Sequence, residues 1–346
     1  MAYSDFISQN VAPLGSHIIG IYDINGNRVG QIPLGSLTPP NDKNKLYRFG
    51  ALSDIHVGYE TSVSDFQNAL LFFNDVENVN FVCVCGDLTG NGSTEQLAQY
   101  KNIVDSYSVN TPVYAISGNH ECYDGTSVTT AKIQPYTGRP LYYSFEYGND
   151  VFIMVGTIGG EQYTNAVVFE DGELQWLYET LEANRNKRCF VFHHIFAGIR
   201  NEATCGNAGG LYTNWCWHNT TECIVFKSLM RHYKNVTWFH GHSHLKLSLQ
   251  KGGQLYANYS VSDGYRSVHI PSLTVPRNDT NNDGIYENIY ADSEGYVVDV
   301  YTNGIHLRGR DFISGKFLPI ASYWLDTTLQ TIPAGTYTDS TGTIKK

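Results

Sequence analysis

The chain has 346 residues, 42% hydrophobic and 16% charged, which gives room for one large domain or two medium ones and is too apolar for a disordered chain or a coiled coil. With 33 acidic against 23 basic side chains the net charge is -10, which argues against a long nucleic-acid duplex as partner, since phosphate binding needs a concentrated basic face. No run of about 18 apolar residues occurs, so no membrane span is expected; residues 1–10 lack the basic start and apolar stretch of a secretory signal, so a cytoplasmic protein is expected.

Residues 1–45 read as a separate β-rich extension. His17–Tyr22 and Arg28–Leu34 are short β-type runs on either side of Asn25-Gly26, a strong hairpin signal, and Thr38-Pro39-Pro40-Asn41-Asp42 reads as a linker. Two strands do not stand alone, so this extension must pack on the main body or on an assembly partner. From Leu46 the pattern alternates. Leu46–Ser53 is a strand ending in Ser-Asp-Ile-His, Ser64–Val76 an amphipathic helix, Phe81–Cys85 an apolar strand ending in Gly-Asp, and Ser93–Asp105 a second helix. Val113–Ile116 is a strand running into Ser-Gly-Asn-His-Glu. Tyr142–Tyr147 and Val151–Thr157 form a hairpin, Glu173–Asn184 a helix, and Cys189–Phe192 a strand ending in His-His. Thr221–Tyr233 is helical, and Val236–Phe239 is a strand ending in His-Gly-His-Ser-His. This order predicts a buried α/β core whose polar residues sit on loops after strand C-termini, the edge where ligands bind in open α/β sheets. The tail, 259–346, is β-rich, with a hairpin over Asn303-Gly304.

Cys83 and Cys85 lie in an apolar run and read as small buried hydrophobes. Cys205, Cys216 and Cys223 share one Gly- and Trp-rich stretch where pairing or metal binding is open, but without a secretory signal reduced thiols are expected.

The strand ends collect Asp54 and His56, Asp87, Asn119, His120 and Glu121, His193 and His194, and His242 and His244. Their donors are carboxylate, amide carbonyl and imidazole, a mix that suits divalent manganese, iron, zinc, nickel or cobalt. Residues i and i+2 at the end of an extended strand point to one side, so Asp54 with His56, and His242 with His244, each present two donors to one pocket. Asp87 between them has two oxygens with which to bridge two cations. Two cations about 3.5–4 Å apart clamp a phosphoryl group and activate a water.

These segments, D-x-H at 54–56, G-D at 86–87, G-N-H-E at 118–121, a strand-end His at 193 and G-H-x-H at 241–244, resemble in order those of the calcineurin-like metallophosphoesterases, over residues 46–250. The resemblance implies a four-layer αββα sandwich, α/β in class, with β-rich N- and C-terminal extensions: a core over 46–258 carrying a cap insertion at 197–220, and a C-terminal region packing on or beside it. It implies a phosphoesterase acting through a metal-bridging hydroxide. Asp54, His56, Asp87 and His244 would hold one ion, and Asp87, Asn119, His193 and His242 the other, the ions being manganese, iron or zinc. His193 is preferred to His194, which is otherwise a substrate-facing neighbour. His120 would protonate the departing oxygen.

The run from Gly86 to Gly92, followed by a helix and the strand into Gly118-Asn119-His120, looks like the phosphodiesterase branch with cyclic-nucleotide-type members. The G-D-x-V-D-R-G of protein phosphatases is absent, and Gly90 stands where purple acid phosphatases carry tyrosine. The substrate is expected to be a small phosphoester. In the cap, Arg200 is a candidate phosphate clamp and Tyr212, Trp215 and Trp217 candidate stacking faces, against the plainer reading of a surface loop packing its own aromatics. Asp279–Gly284 has the form of a calcium loop, but Tyr290 occupies the position that requires a bidentate Glu, so a polar loop is expected. Two other functions stay open: a phosphomonoesterase or nucleotidase, and an assembly protein on a phosphoesterase scaffold, since residues 21–30 faintly resemble the N-termini of phage tail-associated proteins, which would make the chain virion-associated.

Overall fold

The computed structural model describes residues 18–22, 28–33, 44–159, 169–195, 221–248, 250–251, 254–255, 259–260, 265–279 and 287–344. The chain divides into two units, Met1–Asp42 and Lys43–Lys346. In the first, β1 (Ile18–Tyr22) pairs antiparallel with β2 (Arg28–Pro33), with a register shift between Ile21 and Tyr22.

The second unit is built on two six-stranded sheets. β3 (Lys45–Leu52), β4 (Phe81–Cys85) and β5 (Val113–Ile116) run parallel in one. β6 (Tyr143–Tyr147), β7 (Asp150–Val155), β8 (Cys189–His193) and β9 (Val236–His240) lie side by side in the other, joined by β10 (Tyr259–Ser260) and β11 (Ser267–His269) in the order β10-β11-β9-β8-β7-β6. The C-terminal segment supplies half of the first sheet. β12 (Glu294–Tyr301) pairs antiparallel with β3, and β13 (Gly304–Asp311) and β14 (Lys316–Asp326) extend it outward, giving β14-β13-β12-β3-β4-β5.

Aromatic residues fill the space between the sheets: Phe49, Phe81, Phe152, Phe190, Phe192 and Phe239 form one buried cluster. The outer face of the first sheet is covered by α1 (Ser62–Leu71) and α2 (Thr94–Tyr107), whose Phe66, Leu70, Tyr100 and Ile103 pack on Val82, Val84 and Val297. The second sheet packs Val151, Val191 and Trp238 against Leu177 and Leu181 of α4 (Glu173–Ala183) and Phe226 and Leu229 of α5 (Thr221–His232). The layers are therefore helix, sheet, sheet, helix. A strand buried on both faces reads as a continuous apolar run, which is why Phe81–Cys85 shows no alternation: Phe81, Cys83 and Cys85 face the inner core, and Val82 and Val84 face the helices.

Two elements differ from the sequence reading. The helix expected over 64–76 is α-helical to Leu71 and then widens into a π turn, Phe72–Val76, which keeps Phe73 buried. A helix appears at α3 (Thr130–Thr137), hidden in the sequence by Pro135 and the lack of an apolar period. Among the described residues no helix is long and apolar enough to cross a membrane.

Glu294, at the start of β12, is buried, and one of its carboxylate oxygens accepts from Leu247 N–H at 2.6 Å. Burial pushes its carboxyl up from 4.5 to about 8, against the pull of that bond and of Lys246. Folded protein therefore holds a proton that the unfolded chain has already released between those two values. Stability falls as pH rises through that window, on the order of 1 kcal/mol per pH unit. Glu294→Gln is expected to flatten the decline of Tm with pH between about 5 and 8, measured by calorimetry; an unchanged slope would refute this.

Candidate metal centre

The loops after β3, β4, β5, β8 and β9 meet at one end of the sandwich and are knitted together by their backbones. Asp54 N–H donates to Gly86 O at 3.1 Å and His56 N–H to Asp87 O at 3.0 Å, joining the first two loops. Gly241 N–H donates to His194 O at 3.0 Å, joining the last two. Each aspartate spends one oxygen on a neighbouring loop: Asp54 Oδ2 accepts from His242 N–H (3.1 Å), and Asp87 Oδ1 accepts from His120 N–H (2.9 Å). The other oxygens, Asp54 Oδ1 and Asp87 Oδ2, are buried without a hydrogen-bond partner.

Around those two oxygens the imidazoles converge. His244 Nε2 is 3.2 Å and His56 Nε2 3.9 Å from Asp54 Oδ1, and the two nitrogens are 2.9 Å apart. His194 Nε2 lies 3.0 Å from Asp87 Oδ2. Asp54, His56, Asp87 and His244 offer donor atoms within 4.8 Å of one another, as do Asp87, His194 and His242. A divalent ion with bonds of about 2.0–2.2 Å to such donors would separate neighbouring ligand atoms by about 3 Å. The donor set, its spacing and its unpartnered buried oxygens therefore fit divalent cations, with Asp87 common to both groups.

The backbone pays for this convergence. Six non-glycine residues have positive φ among the described residues, and five are Asp54, His56, Asp87, His242 and His244; the sixth is Asn78. Such conformations cost of order 1–3 kcal/mol each and cluster where function requires them. They also correct the expected reason for the D-x-H and H-x-H pairings: the alternate residues are left-handed, not extended. Glycines make room. A Cβ on Gly86 would lie 2.5 Å from His194 Cγ, and one on Gly118 would lie 2.1 Å from Asp87 Oδ1 and 2.4 Å from its backbone nitrogen. Gly118→Ala must displace Asp87, and misplacement of a reacting group by about 1 Å costs on the order of 100-fold. That loss in kcat/KM, with reduced metal uptake, is the expected outcome; wild-type values for both would contradict it.

The charges are mutually dependent. Burial would raise the carboxyl of Asp54, but His244 and His194 hold it well below its ordinary value; Asp87 is held low by His194 and His120 against the same burial. Burial would lower His194, yet Asp87 and Asp54 push it up to about 9. Burial and His244 drive His56 down. The tautomers are set from behind: His194 Nδ1 lies 2.6 Å from Cys85 O and His120 Nδ1 2.8 Å from Gly90 O, so each donates there and turns Nε2 to the site.

Two expectations are corrected. His193 does not reach the cluster: its ring lies against Phe169 and Phe226, with Nδ1 3.3 Å from Val155 O, while His194 occupies the place expected of it. Asp87 offers the pocket one oxygen, not two, because Oδ1 is engaged by His120 N–H. Asn119 lines the cleft and donates through Nδ2 to Tyr123 Oη at 2.9 Å. Glu121, buried, accepts from Thr89 N–H, Thr89 Oγ1 and Gly118 N–H, tying the Asp87 loop to the Asn119 loop. His240 is buried behind the site with its ring 5.7 Å from that of His269. Arg200, Tyr212, Trp215 and Trp217, with Cys205, Cys216 and most of the Asp279–Gly284 loop, lie outside the described residues.

In front of the centre is a cleft of about 530 Å3 whose lining includes Asp87, Asn119, His120, His242 and His244. Its lining also includes Tyr59, Tyr123, Arg277, Asn288 and Tyr290, none of them picked out as substrate residues in the sequence, because they stand in none of the strand-end motifs and the last three come from segments far along the chain.

A family model described as calcineurin-like phosphoesterase matches residues 47–246. The human serine/threonine-protein phosphatase CPPED1 is 27% identical over 123 residues, 33% of this chain and 39% of that protein, and its Pongo abelii counterpart is 26% identical over the same length. The match thus spans about two fifths of these curated relatives. Among solved structures, GAP50, the anchor in the inner membrane complex of Plasmodium, superimposes with a TM-score of 0.51 at 12% identity, covering 82% of this chain and 89% of that one, a likeness of fold alone. With more than half its length matched by the family model, and with a carboxylate–imidazole centre at its strand ends, the chain belongs to the calcineurin-like phosphoesterases.

Proposed function

We propose that this hydrolase is a two-metal phosphodiesterase. The observation that carries the reading is a pair of donor groups that share Asp87, Asp54–His56–Asp87–His244 and Asp87–His194–His242, each with its ligand atoms within 4.8 Å of one another. Asp54, His56, Asp87 and His244 would hold one ion; Asp87, His194, His242 and the carbonyl oxygen of Asn119 would hold the second. Divalent manganese, iron or zinc, when bound, would supply positive charge for the phosphate oxygens and would ease loss of a proton from the water that serves as nucleophile.

The chain's own residues do the rest. His120 stands over Asp87, with Nε2 3.9 Å from Oδ2, and keeps partial exposure toward the cleft. With Nδ1–H held by Gly90 O, the proton that His120 gives up comes from Nε2, and it goes to the departing ester oxygen. An alcohol of high pKa leaves poorly as an alkoxide, so this step matters most for esters of ordinary alcohols. Tyr123 and Tyr59 flank the imidazoles: the Tyr59 ring stacks on His56 at 4.8 Å, and Tyr123 lies 4.1 Å from His120. They fix the rings and narrow the approach. The cleft, about 530 Å3, leaves room for a substituent on the phosphate beyond the leaving group, which supports a diester.

The test compares bis(p-nitrophenyl) phosphate with p-nitrophenyl phosphate after loading with manganese, iron or zinc. A higher kcat/KM on the diester, abolished by chelation and restored by metal, is expected. Preference for the monoester would overturn the diesterase reading in favour of a phosphatase, the activity for which the human relative is named. Full metal loading without hydrolysis of either ester would leave a binding scaffold.

A further inference from the structure

The Asp54–His56 loop is held from behind by a segment that lies beyond the family-matched residues 47–246. Asp54 and His56 are left-handed, so the chain leaves the ladder of its sheet there, and its buried backbone groups need other partners. The N–H groups of Asp54 and His56 turn to one side, onto the carbonyls of Gly86 and Asp87. The carbonyls turn to the other. Ser53 O accepts from Leu273 N–H at 3.0 Å, Asp54 O from Ser272 Oγ at 3.1 Å, and Ile55 O from Thr274 Oγ1. Three consecutive carbonyls of the loop thus meet three consecutive residues of one strap, in the stretch that follows β11. Ser272 and Thr274 are buried, and Ser272 Oγ also accepts from Val275 N–H at 3.2 Å, which fixes it in place. The strap is tied to the last ligand loop at both of its ends: Ile270 N–H donates to His240 O and Arg277 N–H to His244 O, each at 2.7 Å.

The strap therefore grips the backbone of Asp54, of Ile55 next to His56, and of His244. With Asp87 these ligands make up the first donor group. Asp87 and His194 of the second group are anchored elsewhere, by His120 N–H and by Cys85 O. We propose that Ser272 and Thr274 are positioning residues for the first ion. They supply no ligand atom; through the carbonyls of Asp54 and Ile55 they hold Asp54 and His56 at the spacing that binds it. This rests on the two-metal part of the reading above and is independent of the preference for a diester.

Calorimetric titration of the chelator-stripped full chain with zinc tests this without reference to turnover. The wild type is expected to show two binding steps. Thr274→Val keeps the shape of the side chain and loses the hydroxyl. It is expected to weaken one step by about 10–100-fold, the scale of losing a partner behind a metal ligand, and to leave the other in place. Ser272→Ala should do the same, while Thr274→Ser, which keeps the hydroxyl, should bind as the wild type does. Two backgrounds identify the step. With His194→Asn, which spares the first donor group, Thr274→Val should still weaken binding; with His56→Asn, which spares the second, it should not. Tyr47→Phe controls for lost stability alone, since it removes a buried hydroxyl bond to Asp150 Oδ2 (2.6 Å) at the far end of β3, and both steps should survive it. Wild-type affinities in Thr274→Val and Ser272→Ala, a loss shared equally by both steps, or the same loss in Tyr47→Phe would overturn the proposal. If Thr274→Val does not fold, Ser272→Ala decides by the same criteria. A wild type that binds fewer than two zinc ions would remove the two-metal reading itself, and this inference with it.

Discussion

Asp87→Asn is expected to lower hydrolysis by about 1000-fold, at the upper end of what loss of one electrostatic contact to a transition state costs, and to lower bound metal at both positions together. The reason is the shared geometry. Asp87 belongs to both donor groups, and its Oδ2 lies 3.0 Å from His194 Nε2 and 3.8 Å from His56 Nε2. Asn has the same shape and can still accept from His120 N–H through Oδ1, so the loop should stay in place. What it lacks is the negative charge, and it brings an amide donor where the anionic oxygen stood. Metal content by elemental analysis gives a readout independent of activity. So does melting: a ligand that binds only the folded state raises Tm according to its concentration over its Kd, so the metal-induced rise seen in the wild type should shrink in the variant. A variant with wild-type metal content and wild-type rates would remove Asp87 from the centre.

The architecture was legible where physics left one answer. The apolar runs 81–85 and 113–116 coincide with β4 and β5; β4 is buried throughout, and a strand buried on both faces tolerates little but hydrophobes. The site was legible because carboxylates and imidazoles recur directly after those runs: Asp54 follows Leu52 by two residues and Asp87 follows Cys85 by two. What stayed hidden depends on long-range partners. β14 carries Pro319 and pairs irregularly with β13, the register shifting between Arg308 and Arg310, so its pattern is blurred. Its place, with β12 and β13, beside β3 is set by contacts more than 240 residues apart in sequence. Arg277 and Tyr290 reach the cleft through tertiary pairing alone. The left-handed backbone of the ligand loops has no residue signal either, since Asp and His stand where glycine would be unstrained.

His194→Asn and His193→Leu are expected to part in opposite directions, although the residues are neighbours. Along β8, Cys189 and Val191 face the helices, and Phe190 and Phe192 face the inner core. Alternation carries His193 to the helix side, where Phe169 lies 5.0 Å and Phe226 5.1 Å from its ring. There, burial pushes its imidazole down to about 3, so it is a neutral, packed ring at any ordinary pH. His194 is the first residue past the strand; it turns the other way, with Nδ1 on Cys85 O and Nε2 on Asp87. His194→Asn should therefore cost about 100-fold or more in kcat together with one metal position. His193→Leu replaces a neutral buried ring by an aliphatic side chain of similar volume and different shape and removes the contact with Val155 O; it should lose about 1–3 kcal/mol of stability and leave kcat and metal content within a few-fold of wild type. Paired measurements of metal content, kcat and Tm on the two variants decide the assignment, and a His193 variant that folds, melts near the wild type and has lost its metal would reverse it.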